Sequence, residues 1–332
     1  MSKSISDRLR GLFTKYPEAG ACVATLVLFI LFAWWGENFL SVYSLNTMLF
    51  VVAEWGIIAL GFTLLMIAGE FDISVGSVLA LCGVLAIFML NAGLPPPIAV
   101  VMTLIIGVAI GLLHGLAVVK LGVPSFIVTL AGMMFWRGIV LVITDGFPIA
   151  LGGLMATEKP DFFQIFSYRF DNAFSISVIW FVVVAVILGF ILHRTRFGNW
   201  IFATGGNKLA AIQAGVPVNR VKLILFGLTA GLAGLAGIIQ MTQFSMVGAM
   251  RGQLEEMYLI AMVVIGATRF SGGYGSVLGV TFGVFIMAII QNGLSLMGVT
   301  AYWYKAVVGL VILIAVIINV NAQRRALGVS HE

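Results

Sequence analysis

The sequence predicts an all-α integral membrane protein, a polytopic bundle of about ten transmembrane helices. Of its 332 residues, 61% are hydrophobic and only 9% are charged, and the mean hydropathy is +1.13. A soluble domain carries about a quarter of its residues as Asp, Glu, Lys or Arg, so this chain cannot cover its surface with polar groups in water. The apolar runs are long and lack the alternating pattern of a membrane β-barrel. We therefore predict helices, in which the backbone N–H and C=O groups hydrogen-bond to one another within lipid.

Ten apolar segments are candidates to cross a bilayer, which takes about 20 residues of helix. The first follows basic residues, as a signal peptide would. It ends in "AWWGENFL", however, with two tryptophans suited to a membrane interface and no small-residue cleavage site, so we expect a retained helix. The eighth, "MYLIAMVVIGAT", is short and is the weakest candidate. The predicted spans are 19–36, 45–69, 73–94, 98–119, 123–143, 174–192, 223–247, 257–268, 275–297 and 303–320.

Basic residues orient these spans. With the N-terminus inside, the cytoplasmic segments hold 13 of the 18 basic residues, namely Lys3, Arg8, Arg10, Lys15, Lys120, Arg194, Arg196, Lys208, Arg220, Lys222, Arg269, Arg324 and Arg325. The opposite side receives Glu37, Asp145, Glu158, Asp161, Asp171, Glu255 and Glu256. The positive-inside rule then predicts about ten crossings with both termini in the cytoplasm. We expect one membrane domain over 1–332. Its cytoplasmic parts are an N-terminal segment 1–18, a connection 193–222 and a tail 321–332.

Composition and motifs exclude several functions. The net charge of +5 follows from the inside-outside asymmetry, and we expect no nucleic-acid partner. Cys22 and Cys82 lie in apolar runs, which is typical of buried small side chains. The sequence has no P-loop, HExxH or GxSxG motif, and its histidines lack metal-ligand spacing. We therefore expect no ATPase site of its own, no catalytic residues, no metal and no cofactor.

The ionisable residues that we expect within the membrane are few: Glu54, Glu70, Asp72, Arg137 and Lys305. Such residues mark transport pathways or are satisfied by structural partners. Lys305 can extend outward from the start of its span, and Arg137 can do the same or face a polar cavity. For Glu54, which lies deeper, a pathway role and a satisfied structural role are both open.

Three further polar residues lie within apolar helices. For His114 we expect hydrogen-bonded packing in place of a ligand role. Gln291 and Asn292 are adjacent amides in "IIQNGL", and we expect them to line a polar route.

The stretch "MIAGEFDISVGSVLALCG", residues 66–83, places Glu70 and Asp72 between two apolar runs. Asp72 or Ser74 can cap a helix that starts near Ile73. Two interpretations follow: an ordinary cap at the membrane surface, or a discontinuous helix deeper in the protein. Residues 74–84 also resemble residues 273–283, which hints at an internal repeat whose symmetry stays open.

Two long connections are distinctive. Residues 144–173 on the outer side are rich in Gly, Pro and aromatics and suit a folded lid or docking loop. Residues 193–222 contain no acid. Within them Asn207 is a good N-cap and Gly215 a good C-terminal residue, which predicts a short helix over "KLAAIQA". This is either a plain basic loop or a helix whose small residues fit a partner's groove.

At these residues the sequence resembles the permease subunits of bacterial ABC importers for simple sugars, the ribose, xylose and galactoside group. That family carries a G-G-[IL]-D-L-S-V-G-S motif, which stands here as "GEFDISVGS" at 69–77, with Glu70 where the family usually has glycine. The likeness continues with "GVPSFIVTLAGMMFWRG" at 122–138, "HRTRFGNWIFATGGNKLAAIQAGV" at 193–216 and "FSGGYGSVLGVTFGVFIMAIIQNGLSLMGVTAYW" at 270–303.

The resemblance implies a type II importer-like bundle in the bacterial inner membrane, with three kinds of partner besides the bilayer: a second permease copy or homologue, a periplasmic sugar-binding protein, and an ATP-binding subunit on the cytoplasmic side. We expect the substrate pathway to use Glu54, Asp72, Ser74, Arg137, Gln291 and Asn292. We expect coupling to the ATPase to use Gly206, Asn207, Lys208, Ala210, Ala211, Ala214 and Gly215.

Other functions stay open on the sequence alone. A secondary transporter could couple to protons or sodium through Glu54, Glu70 or Asp72. An integral-membrane enzyme has no nucleophile, base or metal set to support it. The same importer type could also carry a nucleoside or a furanosyl signal.

Overall fold

The computed structural model describes residues 18–153, 160–170 and 174–326 and is helical almost throughout. The helices are α1 (Glu18–Trp35), α2 (Val42–Ile67), α3 (Val75–Asn91), α4 (Pro96–Leu121), α5 (Ser125–Thr144), α6 (Gln164–Ser167), α7 (Ser177–Arg194), α8 (Arg196–Gly206), α9 (Lys208–Gln213), α10 (Val218–Phe244), α11 (Glu255–Ile265), α12 (Val277–Leu296) and α13 (Ala301–Ala326). A 3₁₀ turn covers Asp161–Phe163. The predicted all-α polytopic membrane fold is confirmed.

Helices occupy each of the ten predicted spans, with boundaries that differ by up to about six residues, as is usual for helix ends. In the described part of the chain, seven are long and apolar enough to cross a membrane: α1, α2, α4, α5, α7, α10 and α12. By contrast, α3 has 17 residues and α11 only 11, so these two are short for a full crossing. The number of crossings stays a prediction.

The connection 144–173 is partly folded. Strands β1 (Ile149–Ala150) and β4 (Met246–Val247) pair antiparallel, and β2 (Arg169–Phe170) pairs with β3 (Phe174–Ser175). Residues 154–159 and 171–173, which include Glu158 and Asp171, lie outside the described residues, as do the N-terminal segment 1–17 and residues 327–332. The β1–β4 pair ties this connection to the chain just after α10.

Two central helices, α2 and α10, form the core. They pack directly against each other, where Gly61 of α2 faces Thr229 and Leu232 of α10. α4 approaches α10 closely at Gly111, where any side chain would overlap the carbonyl oxygen of Phe226. Small residues permit such approaches between helices in lipid. α1 and α5 are mostly exposed and form the periphery.

Candidate functional site at the break between α2 and α3

The break between α2 and α3 begins with a glycine C-cap. Gly69 has φ +81°, which a residue without a side chain adopts freely. The Gly69 N–H donates to the Met66 carbonyl at 3.0 Å, and the Glu70 N–H donates to the Leu65 carbonyl at 3.1 Å. This pair of bonds is the Schellman motif, which satisfies the last carbonyls of a helix. α2 therefore ends sharply, and the chain turns before α3.

Asp72 shapes the turn that leads into α3. Its Oδ1 accepts from the Ser74 backbone N–H at 2.9 Å and from the Ser74 hydroxyl at 2.5 Å. The predicted start of a helix near Ile73 is confirmed to within two residues, whereas the predicted capping by the Ser74 side chain is wrong. α3 begins at Val75 with Ser74 in the N-cap position, but the Ser74 hydroxyl bonds back to Asp72 and caps nothing. The Asx-type turn at Asp72 therefore uses the Ser74 hydroxyl, which otherwise could cap α3.

The break is enclosed by protein. Asp72 and Ser74 are fully buried among other residues, and the depth of the break in the membrane stays a prediction. Irregular backbone is tolerated in a membrane protein only where other groups satisfy it. Here α5 does so, because the Ser125 hydroxyl accepts from the Phe71 N–H at 3.2 Å and Thr129 accepts from the Ile73 N–H at 3.3 Å.

His114 extends this polar group to α4 and α5. The indole N–H of Trp136 donates to His114 Nε2 at 3.1 Å, and His114 Nδ1 lies 3.3 Å from the Ser74 hydroxyl. Because an indole N–H can only donate, Nε2 must hold a lone pair, which assigns the ring proton to Nδ1. That proton points at Ser74 and Asp72, whose Oδ2 lies 3.9 Å away. The expected hydrogen-bonded packing of His114 is confirmed.

Glu70 forms a buried ion pair with Lys222 in the first turns of α10. Glu70 is 7% exposed and Lys222 8% exposed. Glu70 occupies a position where the resembled family usually has glycine, and Lys222 supplies the cation that its burial requires. Sequence reasoning placed Lys222 among the basic loop residues and missed this role. The available signal was that a buried acid needs a partner.

The backbone of α8 touches the end of α2. At Gly205 any side chain would overlap the carbonyl oxygen of Ile67. The same carbonyl accepts from the Gly273 N–H at 2.8 Å. α8 was not predicted from the sequence. Its N-cap is Thr195, whose hydroxyl accepts from the Gly198 N–H at 3.3 Å, and its last residue lies two positions before the start of α9.

The short helix α9 has the predicted ends. Asn207 Oδ1 accepts from the Ala210 N–H at 3.0 Å, and Gly215 follows the helix with φ +80°. The expected face of three outward methyl groups is wrong, because Ala211 is only 4% exposed, while Ala210 and Ala214 are exposed.

The outward face of α9 carries larger apolar side chains. Leu209 is 73% exposed and Ile212 is 51% exposed, and these positions are three residues apart, so they share one face. Gly206 and Lys208 are exposed beside them. The surface offered to a partner is therefore apolar and bulky, where the sequence suggested a small-residue surface.

Glu54 and Arg137 belong to a second polar cluster around residues 245–254, the segment that joins α10 to α11. Arg251 donates to Glu54 at 2.5 Å and lies 3.5 Å from Glu255. Arg137 does not extend outward: its Nη1 donates to the carbonyls of Ala249 at 3.1 Å and Arg251 at 2.6 Å. Both residues thus hold this segment in place.

The segment runs into the protein alongside α3. Val247 lies against Gly83, and the backbone of Gly252 touches that of Gly76, one helical residue past the start of α3. Glu255 and Glu256, which were expected on the outer surface, are each only 5% exposed. They are buried because the segment carries the start of α11 inward before that helix begins.

The remaining predicted pathway residues lie elsewhere. Asn292 Nδ2 donates to the Ser44 hydroxyl at 2.7 Å and so joins α12 to the start of α2. Gln291 is half-buried beside it, and Lys305 is exposed. The structure therefore divides the six predicted pathway residues into three groups: Asp72 with Ser74, Glu54 with Arg137, and Gln291 with Asn292. Their part in a pathway stays a prediction.

The described residues contain no group of three or more His, Cys, Asp or Glu side chains that could hold a metal ion. The polar clusters of the protein are instead ion pairs and hydrogen-bonded turns. They can fix helix ends and pass movement between helices.

Comparison with known proteins identifies the family. Residues 44–316 match the family model described as branched-chain amino acid transport system / permease component. The ribose import permease protein of Escherichia coli K12 is 35% identical over 95% of this chain and 98% of its own. The corresponding protein of Bacillus subtilis 168 is 37% identical over 91% and 92%. The xylose transport system permease protein of Escherichia coli K12 is 32% identical over 97% and 96%.

No solved structure matches this chain significantly. The resemblance drawn from the motifs is confirmed by relatives that are covered almost end to end. The chain therefore belongs to the family of transport-system permease components, and its relatives include a ribose import permease protein and a xylose transport system permease protein.

Proposed function

We propose that this protein is the membrane-spanning subunit of an ABC importer for a simple sugar. A periplasmic binding protein delivers the sugar, two permease copies or homologues form the pathway, and separate ATPase subunits drive transport from the side of the connection 193–222. The similarity to import permeases over nearly the whole chain supports this role. Relatives named for ribose and for xylose match this chain to similar extents, so uptake of both sugars must be measured to choose between them.

The surface of α9 is the observation that carries the proposal. Leu209 and Ile212 project from a short, capped helix in a connection that contains basic residues and no acid. Exposed leucine and isoleucine side chains on a polar loop have no lipid to cover them, and a patch rimmed by polar residues marks a protein contact. A helix that inserts its apolar side chains into a groove is a common recognition mode.

The helices on either side of α9 in the chain, α8 and α10, both contact the region of the break between α2 and α3. On one side, Gly205 of α8 touches Ile67 at the end of α2. On the other side, Lys222 of α10 holds Glu70 within the break. An ATPase that moves α9 as a rigid body would therefore act on both ends of the turn that precedes α3. This arrangement supports a coupling role for α9.

Ion coupling receives less support. Glu54 is paired with Arg251 and Glu70 with Lys222, so each carboxylate already has a cation. Asp72 Oδ1 is engaged by Ser74. A sodium or proton site built on Glu54 or Glu70 would first have to displace the cation that each already holds.

Transport in sealed membrane vesicles tests the proposal. We expect uptake of labelled ribose or xylose that requires ATP, the binding protein and the ATPase, that is inhibited by vanadate, and that persists after ion gradients are collapsed. Uptake that follows an ion gradient and ignores ATP would contradict it. Leu209→Ser should lower co-purification of the ATPase, whereas Leu121→Ser, an exposed leucine at the end of α4, serves as the matched control.

A further inference from the structure

A wholly apolar groove of about 520 Å³ runs between α4 and α10. Its lining contains only leucine, valine, isoleucine and glycine. Gly227 and Gly231 line it on the α10 side, and Leu104, Val108 and Leu112 line it on the α4 side. The α10 residues that line it extend from Ile224 to Leu235.

The length of this groove fits one lipid leaflet. Ile224 and Leu235 are separated by about 16 Å along the helix, which is about half of the 30 Å hydrocarbon thickness of a bilayer. A transmembrane helix of a partner would need an apolar track about twice as long. An acyl chain of a single phospholipid needs only this length.

A cation stands at one end of the groove. Arg220 lies one turn before Ile224 and seven residues before Gly227, so it shares the face of α10 that forms the groove. Its side chain is exposed and makes no ion pair among the described residues. Lys120, also exposed, is in the last turn of α4 at the same end, since α4 and α10 pack antiparallel with Gly115 near Phe226 and Gly107 near Ala230.

We propose that this groove binds an anionic phospholipid from the leaflet on the side of the connection 193–222. One acyl chain lies along the leucine, valine and glycine lining, and the phosphate meets the Arg220 guanidinium. Guanidinium groups bind phosphate through two parallel hydrogen bonds. The absence of any acid from residues 193–222 leaves the local field positive, which favours an anionic headgroup over a zwitterionic one.

Lipid retention by the purified full-length permease tests this site. The protein is incubated with equal amounts of phosphatidylglycerol and phosphatidylcholine of identical chains and weighed by native mass spectrometry. We expect preferential retention of phosphatidylglycerol and a loss of about fivefold in its affinity in Arg220→Gln. Val108→Trp, which fills the groove, should reduce retention of both lipids. Arg196→Gln and Ile105→Trp are matched controls, exposed and outside the groove, and should change neither.

Two results would overturn the inference. One is equal retention of the two lipids by the parent and by Arg220→Gln. The other is unchanged retention in Val108→Trp together with loss of permease dimers, which would assign the groove to a second copy of the chain. If Val108→Trp fails to fold, Leu112→Phe fills the same groove with a smaller change, and the same criteria apply.

Discussion

The buried pair of Glu70 and Lys222 should contribute far more than a surface ion pair. Each side chain keeps only about a tenth of its surface exposed. An exposed pair contributes about 0–1 kcal/mol, whereas removing one partner of a buried pair costs about 3–5 kcal/mol, because the other charge stays buried alone. Replacing both partners with apolar side chains is often neutral or stabilising by about 1–4 kcal/mol. The structure therefore predicts strong coupling between these two positions.

A double-mutant cycle measures this coupling. Lys222→Met and Glu70→Leu are made singly and together, and the free energy of unfolding of each protein is measured in mixed micelles with increasing SDS. Each single variant should lose about 3 kcal/mol or more, and the double variant should return to within about 1 kcal/mol of the parent. Lys208→Met, an exposed lysine on α9, should change stability by no more than about 0.5 kcal/mol.

Uptake by a second double variant tests the Glu70–Lys222 pair against the glycine that is usual in the family at position 70. Glu70→Gly combined with Lys222→Met restores the glycine usual in that family and removes the unmatched cation. It should support uptake, whereas Lys222→Met alone should not. If the single variants each stay within about 1 kcal/mol of the parent and their effects simply add, the pair is solvated, and the proposed link from α10 to the break is wrong.

Three further predictions follow from the same region. Asp72→Asn keeps the Oδ1 acceptor but places an amide NH₂ group opposite the ring proton of His114. We therefore expect the free energy of unfolding to fall by about 1–3 kcal/mol and uptake to fall sharply. Normal uptake at normal abundance would refute this. Ala211→Trp should destabilise the permease by about 1–3 kcal/mol through overpacking. Ala210→Trp, on the exposed side of α9, should leave the permease stable and weaken co-purification of the ATPase. Equal effects of the two variants would contradict the assigned faces of α9. In a background without the native cysteines, a cysteine at 161 should react with an impermeant reagent from outside the cell and one at 208 only after the inner membrane is opened; labelling of 208 from outside would reverse the topology.

Local patterns account for what the sequence predicted well. Hydrophobic runs located a helix in each of the ten predicted segments, because length and apolarity are direct requirements of the bilayer. Asn207 and Gly215 bracketed α9 correctly, because caps depend on neighbouring backbone only. α8 escaped prediction, since "RFGNWIFATGG" contains three glycines and reads as a loop.

Partners distant in the chain account for what could not be predicted. Glu54 pairs with a residue 197 positions away, and Glu70 with one 152 positions away. A buried acid needs a cation, but the sequence does not show which arginine or lysine supplies it. Ala211 likewise was assigned to the wrong face, because the repeat of a six-residue helix does not show which side meets α10.

The contact between Gly205 and Ile67 has a mechanical consequence. Side-chain contacts can absorb a small displacement by changing rotamer, but two main chains in direct contact have no such freedom. A shift of α8 must therefore move the end of α2 by a similar distance or separate the two helices. This contact is stiff because no side chain lies between the two main chains. Even alanine at 205 would therefore change how much of a displacement of α9 is transmitted to α2.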